Sequence, residues 1–407
     1  MKIGVIDADL IGRKRNRFPN LACMKISAYH KQQGHEVTLI TNYKDLYYDE
    51  NLWINYDNAL NKYVKKQSEE TYEELFKCMT PCFNTSNIKF DKIFISKVFT
   101  ETEIDEDFLT LDIVEYGGTG FYYDKAQPLP EEIEHIMPDY QLYTEFVHDA
   151  LENGTMSKKD ASLYLDYSIG FTTRGCIRGC SFCVNKNSRA CVRHSPVSEF
   201  VDPDRKYIFL LDDNVLSCRD WKQIFEELNA TGKRFQFKQG MDERLLTDEK
   251  CEVIFNSDWI GDFIFAFDNI KDKRLVVKKL QMIRKHTNKI PKFYCFCAYN
   301  HDHPDTYPEE FWGNDIADLF ERISILMRFN SLPYIMRYKD FEKSPYRGMY
   351  VTIARWCNQP SYFKKMSFRK FCERTLECGS ESAIRYAIQF EHDFPEIAEK
   401  YFDMKWR

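Results

Sequence analysis

Three thiols stand close together in Thr173-Arg174-Gly175-Cys176-Ile177-Arg178-Gly179-Cys180-Ser181-Phe182-Cys183, at C-x-x-x-C-x-x-C spacing. With 14 Cys in 407 residues, chance would place this spacing on the order of 0.02 times per chain. Thiolates are the usual protein ligands of iron–sulfur clusters, and a short glycine-containing loop lets three of them converge on one inorganic centre. A cubane of four irons held by three thiolates leaves one iron open, and an open position is what lets a metal centre bind a reactant. A zinc site is the nearest competing chemistry. It would need a fourth ligand, and Cys191 and His194 are the candidates.

Further polar groups recur where apolar runs end. Asp212-Asp213-Asn214 follows Phe209-Leu210-Leu211, and Lys238-Gln239-Gly240-Met241-Asp242-Glu243-Arg244 closes the next run. Asp268-Asn269, Asn300-His301-Asp302-His303 and Arg337-Tyr338 close the three after that. Ligands of β/α sheets gather at the C-terminal ends of strands, which makes these groups site candidates. Asp and Asn also cap helices, so each carries a structural alternative. Two His around an Asp could bind a metal, although a solvated loop is the simpler reading. Arg337 could pair with a substrate anion.

The elements that must position these groups are legible as alternating runs. Strand-like segments lie at 167–172, 206–211, 235–239, 262–267, 292–299 and 333–338, with helix-like segments at 219–230, 246–256, 271–286 and 313–329. Six strands alternating with helices suggest an open or partial β/α barrel over 160–340, and 341–407 reads as a helical C-terminal extension. Ahead of them, KIGVID, a helix from Pro19 to Gln33 closed by Gly34, and His35–Ile40 form a βαβ unit. Residues 43–80 read as helical, 92–96 as a strand, 113–116 as an apolar run before Gly117-Gly118-Thr119-Gly120, and 124–142 as an irregular connection. The fold class is therefore α/β, with a Rossmann-like parallel sheet domain over 1–145.

Composition narrows the class. Hydrophobic residues make up 43%, charged residues 29% and aromatics 15%, which suits buried cores and excludes a disordered chain. Net charge is −6, so the whole surface is no general polyanion binder. No apolar run approaches the length of a membrane span, and the first residues lack a signal-peptide core, so a cytoplasmic location is expected. In a reducing compartment, clustered thiols read as metal ligands rather than disulfides.

The cysteine loop resembles the radical S-adenosylmethionine superfamily, whose cluster loop is C-x-x-x-C-x-aromatic-C at the end of the first strand of a partial barrel. The likeness covers about residues 165–340. It implies that Cys176, Cys180 and Cys183 ligate a 4Fe–4S cluster and that S-adenosylmethionine chelates the open iron. Phe182 would lie near the adenine. Asp212, Asp213, Asn214, Gln239, Asp242 and Asp268 would approach the methionine or ribose moieties, and Arg337 and Tyr338 a substrate. The implied reaction is reductive cleavage to a 5′-deoxyadenosyl radical that abstracts hydrogen from an unidentified substrate, with electrons from an external one-electron reductant.

Residues 1–120 resemble the cobalamin-binding-like domain that precedes many such enzymes. The D-x-H-x-x-G motif for a lower histidine is missing: Asp7-Ala8-Asp9-Leu10-Ile11-Gly12 has Asp where His should stand and follows the wrong strand. An empty or substrate-facing domain is thus preferred over histidine-off cobalamin binding. Cys23, Cys78 and Cys82 lack the spacing of a second cluster, as do Cys357, Cys372 and Cys378 in the tail. Residues 331–375 hold ten Lys/Arg against three Asp/Glu, interleaved with aromatics. This opens nucleic-acid binding as an alternative to amphipathic packing. The expectation is a radical S-adenosylmethionine enzyme. Cobalamin-dependent methyl transfer, RNA modification and a non-catalytic iron–sulfur sensor are its alternatives.

Overall fold

The computed structural model describes residues 1–13, 18–46, 50–79 and 88–406. The chain forms two compact units, Met1–Tyr167 and Ser168–Arg407.

In the first unit, β1 (Lys2–Asp7), β2 (Glu36–Leu39), β3 (Lys92–Ser96) and β4 (Val114–Gly117) form one parallel sheet in the order β2-β1-β3-β4. β1 is central, which explains why KIGVID is apolar almost throughout: every residue after Lys2 is buried. The helix Leu21–Gln32 connects β1 to β2. The Asn20 side chain caps it by accepting from Cys23 N at 3.2 Å, and Gly34 at φ 77° turns the chain beyond its end. Helices Glu50–Lys66 and Glu69–Met79 fill the stretch read as helical. The segment after β4 does more than connect. It carries helices Thr144–Glu152 and Lys158–Leu165, and Tyr140, Tyr143, Val147 and Tyr164 share a core with Ile3, Val5 and Met24.

The C-terminal edge of this sheet is tied together by its own side chains. Asp7 accepts from Asp9 N and Leu10 N, and from the Tyr143 hydroxyl at 2.8 Å. Asp9 accepts from Val98 N and the Thr102 hydroxyl. The glycine turn is closed too: Gly120 N donates to Lys97 O, and a Cβ at Gly118 would lie 2.3 Å from that same oxygen. Gly118 and Gly120 thus serve close packing against the Lys97 backbone.

Burial pushes the Asp7 carboxyl up to about 7, with the Tyr143 and backbone donors opposing only in part. The folded chain therefore holds this proton to higher pH than the unfolded chain does. Stability is expected to fall as pH rises from about 4 to about 7 and to level off above, by up to about 4 kcal/mol from this group. Urea unfolding of the full chain at pH 5 and pH 7.5 should show about 2–3 kcal/mol of that loss, and Asp7→Asn should shrink it; an unchanged slope in the variant would assign the dependence elsewhere.

The second unit runs β5 (Tyr167–Gly170), β6 (Thr173–Arg174), β7 (Val192–Arg193), β8 (Tyr207–Leu210), β9 (Arg234–Phe237), β10 (Ile264–Ala266), β11 (Lys292–Cys297) and β12 (Leu332–Arg337). Sheets β5-β8-β9 and β10-β11-β12 are joined by parallel bridges Phe235↔Trp259 and Met241↔Phe265, so six strands follow one another in chain order. Helices Trp221–Ala230, Asp248–Asn256, Lys273–His286 and Glu309–Arg328 stand between the later ones. Side chains alternate accordingly. Ile208, Leu210, Phe235, Phe237, Phe293, Cys295 and Cys297 enter the main hydrophobic core. Phe209, Tyr294, Phe296, Tyr334 and Met336 lie on the opposite face by register.

The helices after Arg347 contribute Tyr350, Trp356, Phe363, Phe368, Phe390 and Phe402 to that same core. The C-terminal region is thus packed into the second unit. Among the described residues, no helix is long and apolar enough to cross a membrane.

Candidate metal and cofactor site

The cysteine loop leaves the end of β5 and is pinched at its base. β6 and β7 pair antiparallel, Thr173 opposite Arg193 and Arg174 opposite Val192, a two-residue clamp too short to show in the sequence pattern. Asp212 locks the clamp from the end of β8. Its carboxylate accepts from Thr172 N (3.1 Å), Thr172 Oγ1 (2.6 Å), Thr173 N (2.6 Å) and Thr173 Oγ1 (2.7 Å). Asp213 holds the loop one step further on, accepting from Gly175 N at 2.9 Å and Asn185 Nδ2 at 2.5 Å. Gly175 has φ 89°, and a Cβ there would fall 2.2 Å from Ala190 O, so the loop can fold back only with glycine at this position.

Cys176, Cys180 and Cys183 are half-buried free thiols. Two nitrogens donate toward their sulfurs: Asn214 Nδ2 to Cys176 at 3.5 Å and Asn185 N to Cys183 at 3.4 Å. Burial pushes the Cys180 and Cys183 thiols up, and the neighbouring thiols of the loop add to this. Among the described residues, no three His, Cys, Asp or Glu side chains are gathered around a single-ion position. A cubane, in which each thiolate takes its own iron, does not require that. Cys191, the candidate fourth zinc ligand, donates to the Asn214 carbonyl oxygen at 3.4 Å, and burial pushes its thiol up to about 11.

Beside the loop lies a cavity of about 170 Å³ lined by Cys180, Phe182, Glu243, Arg244, Asp268 and His301, among others. Phe182 packs against Phe296 with ring centres 4.3 Å apart, and against Tyr299 and His301 at 5.4 and 5.8 Å. Asp268 Oδ1 accepts from Phe296 N at 3.0 Å. The buried Arg322 guanidinium gathers the carbonyls of Phe267, Asp268 and Phe296, fixing the ends of β10 and β11. Glu243 is 2% exposed, and its Oε2 has no hydrogen-bond partner. Burial pushes its carboxyl up to about 8. An orphaned oxygen in a cavity wall is a place for a ligand donor. The cavity thus sets the Cys180 thiol and the Phe182 ring beside the Glu243 and Asp268 carboxylates.

Tyr299 donates to Ser181 Oγ at 2.7 Å and so ties the loop to β11. Tyr299→Phe is expected to cost about 1 kcal/mol. It should also speed loss of bound iron to a chelator, measured by absorbance decay; unchanged decay would mean the loop holds itself.

The structure separates the sequence candidates. Phe182 and Asp268 line the cavity. Asn214 faces Cys176, while Asp212 and Asp213 spend their acceptors on the loop backbone. Asp242 is held between Arg178 (2.5 Å) and Arg244 (2.7 Å) and does not line the cavity. Gln239 is exposed and stands outside it. Arg337, at the end of β12, is exposed and does not line the cavity, and its guanidinium sits 4.5 Å over the Phe341 ring. Tyr338 joins the aromatic group 4.9 Å from Tyr299. In the 300–303 loop, His301 lines the cavity, while Asp302 beside it pairs with Lys271.

Asp272 was not among the candidates, and within the candidate segment Lys238–Arg244 the cofactor role fell on Gln239 and Asp242 rather than on Glu243 and Arg244. The signal was present in Asp242-Glu243-Arg244, where neighbouring residues of a tight turn point in different directions, so naming one acid did not identify the one that faces inward.

In the basic 331–375 region half of the interleaved aromatics belong to the core, while Tyr334 is exposed and Tyr338, Phe341, Tyr346 and Tyr362 are partly buried. Tyr350, Trp356, Phe363, Phe368 and Phe371 are buried, and Arg369 is bound by Glu391 and Asp403. Cys23 is buried and donates to Ile6 O. Cys82 and the Cys78 side chain lie outside the described residues. Cys357 and Cys372 are buried and Cys378 is exposed.

No family model matches the chain, and no curated protein matches it. Solved structures do show likeness. A radical S-adenosylmethionine methyltransferase, TsrM, from Kitasatospora setae, with cobalamin and a 4Fe-4S cluster bound, aligns over 83% of this chain and 74% of its own at 10% identity, with a TM-score of 0.47. The same enzyme with tryptophan substrate and a S-adenosylmethionine analogue bound aligns over 82% and 72% at 10% identity, with a TM-score of 0.46.

Proposed function

We propose that this chain is a radical S-adenosylmethionine enzyme whose second unit is a partial barrel of six βα units. The observation that carries the proposal is the joining of the C-x-x-x-C-x-x-C loop to a cavity shared by Cys180, Phe182, Glu243 and Asp268. Cys176, Cys180 and Cys183 would hold the 4Fe–4S cluster. When bound and reduced, the cluster supplies the electron that cleaves S-adenosylmethionine to methionine and a 5′-deoxyadenosyl radical able to take hydrogen from substrate. The protein's part is orientation. Phe182 offers a face to the purine, and Asp268 and Glu243 accept from hydroxyl or ammonium groups. Asp212, Asp213 and Arg322 keep the loop and strand ends in place.

The test is 5′-deoxyadenosine formation by anaerobically reconstituted protein with dithionite and S-adenosylmethionine. Product is expected from the wild type. A full complement of iron and sulfide with no product, even after cell extract is added as a substrate source, would favour a non-catalytic iron–sulfur sensor. Glu243→Ala is expected to weaken S-adenosylmethionine binding about tenfold in equilibrium dialysis while leaving iron content unchanged; unaltered affinity would remove Glu243 from the site.

Cobalamin-dependent methyl transfer is the second reading. Val98, Phe99, Tyr116 and Tyr122 are exposed at or just beyond the C-terminal ends of β3 and β4, the edge where open α/β sheets take ligands. Corrinoid copurifying with the protein, or quenching tyrosine fluorescence on titration, would favour it; neither effect would leave hydrogen abstraction alone.

A further inference from the structure

A second concave site lies outside the cavity described above. The turn that follows β12 and the helix Ser382–Asp393 enclose a groove of about 540 Å³ lined by Lys343, Ser344, Arg347, Arg385, Tyr386 and Gln389, with Glu342 at its wall. Arg347 Nε donates to Tyr386 Oη at 3.4 Å, and the Arg385 guanidinium carbon stands 5.4 Å from the centre of the same ring. Lys343 is already paired with Asp340 at 3.1 Å. Arg347 and Arg385 are not: among the described residues, neither has a carboxylate at ion-pair distance, and Glu342 acts on Arg347 only through space.

The phenol between them is fixed by packing. The helix Arg347–Cys357 presents Gly348 to the Tyr386 ring, where a Cβ would lie 1.9 Å from Cδ2, so the ring rests directly on helix backbone. The field there is positive enough to hold the Tyr386 phenol below its usual range, Arg347 contributing first and Arg385 after it. Two guanidiniums brought to one neutral hydroxyl repel each other, and an anion would offset that repulsion. The planar fork of a guanidinium matches two oxygens of a phosphate or carboxylate. Gln389 stands four residues after Arg385, on the same helix face, and adds amide donors. Lys343, Ser344 and Gln389 extend the groove beyond the two guanidiniums, which leaves room for an anion that is part of a larger molecule.

We propose that this groove binds the dianionic phosphate end of a phosphate monoester or diphosphate, clamped between Arg347 and Arg385, with Tyr386 and Gln389 donating to the remaining oxygens. The site is independent of the radical chemistry proposed above and would stand if that reading fell. Two sources present such a group: a small organic phosphate and the 5′-phosphate of a nucleic acid strand.

Isothermal titration of the full chain at low salt tests it, with pyrophosphate as the probe and adenosine as the uncharged control. Wild-type protein is expected to bind pyrophosphate and not adenosine, and Arg347→Gln/Arg385→Gln to weaken binding about tenfold or more. Tyr386→Phe should weaken it a few-fold. Both Arg side chains are exposed, so unchanged melting temperatures are expected; should the double variant unfold, Arg385→Gln alone carries the test. A short oligonucleotide with and without a 5′-phosphate separates the sources. Binding that needs the terminal phosphate supports the clamp and names nucleic acid as a source, and failure of both oligonucleotides leaves the small phosphate. Equal binding of both through Arg347 and Arg385 would mean the groove reads diesters and would overturn the proposal. So would wild-type protein that ignores pyrophosphate, or a double variant that binds it as well as wild type.

Discussion

Cys180→Ala is expected to abolish 5′-deoxyadenosine formation and to leave the reconstituted protein with little of its iron. Cys180 is the thiol of the three that lines the cavity, so its loss would remove a proposed cluster ligand and part of the cavity wall together. Removing a group that merely orients a metal ligand costs about 10- to 100-fold in affinity or activity. Removing the ligand itself should therefore cost more than about a hundredfold. Asn214→Ala supplies the internal comparison, because Asn214 Nδ2 reaches Cys176 Sγ at 3.5 Å without belonging to the thiol set. It should keep a cluster when iron is abundant and lose it sooner when iron is limiting. Iron and sulfide content, visible absorbance and product formation are read on each variant. A Cys180→Ala protein that retains both absorbance and product would refute the assignment of this loop. Equal effects of the two substitutions would mean that loop folding, not ligation, was being measured.

What the sequence made legible follows from the range of the forces involved. The thiol spacing lies within eight residues, from Cys176 to Cys183, so it can be read without knowing the fold. The six strands of the second unit were equally plain, since Phe235–Phe237 and Phe293–Cys297 carry the period of a half-buried strand. The partners of the acids were not legible. Asp212 and Asp242 stand in chemically suitable places at strand ends, yet their hydrogen bonds run to Thr172 and Thr173, and to Arg178, at separations of 39–40 and 64 residues. No local pattern encodes which of two adjacent acids, Asp242 or Glu243, turns into the cavity. Arg337 shows the same limit: its place at the end of β12 was plain, but its stacking over the Phe341 ring was not. In the tail, the alternation of basic and aromatic residues was real, but burial assigned Trp356, Phe363 and Phe368 to packing.

Asp212 gives the second large effect, and it separates positioning from cofactor contact. Its carboxylate is buried and accepts four hydrogen bonds, two from backbone N–H groups of Thr172 and Thr173 and two from their hydroxyls. Burial raises its pKa, and those four donors pull the other way. In Asp212→Ala the hydroxyls can rotate toward other acceptors, but the two N–H groups cannot leave the backbone. Each unsatisfied donor costs about 1–3 kcal/mol, so the loss should be about 3–5 kcal/mol. Asp212→Asn keeps one carbonyl oxygen and sets its amide against a single N–H, so it should cost less, about 1–2 kcal/mol. Because β6 and β7 hold the loop by only two residue pairs, this destabilisation should reach the cluster as faster iron loss. Once reconstituted with excess iron, Asp212→Asn should bind S-adenosylmethionine with wild-type affinity, since its oxygens are committed to the loop. A variant of normal melting temperature and weakened S-adenosylmethionine binding would contradict this and place Asp212 on the cofactor instead.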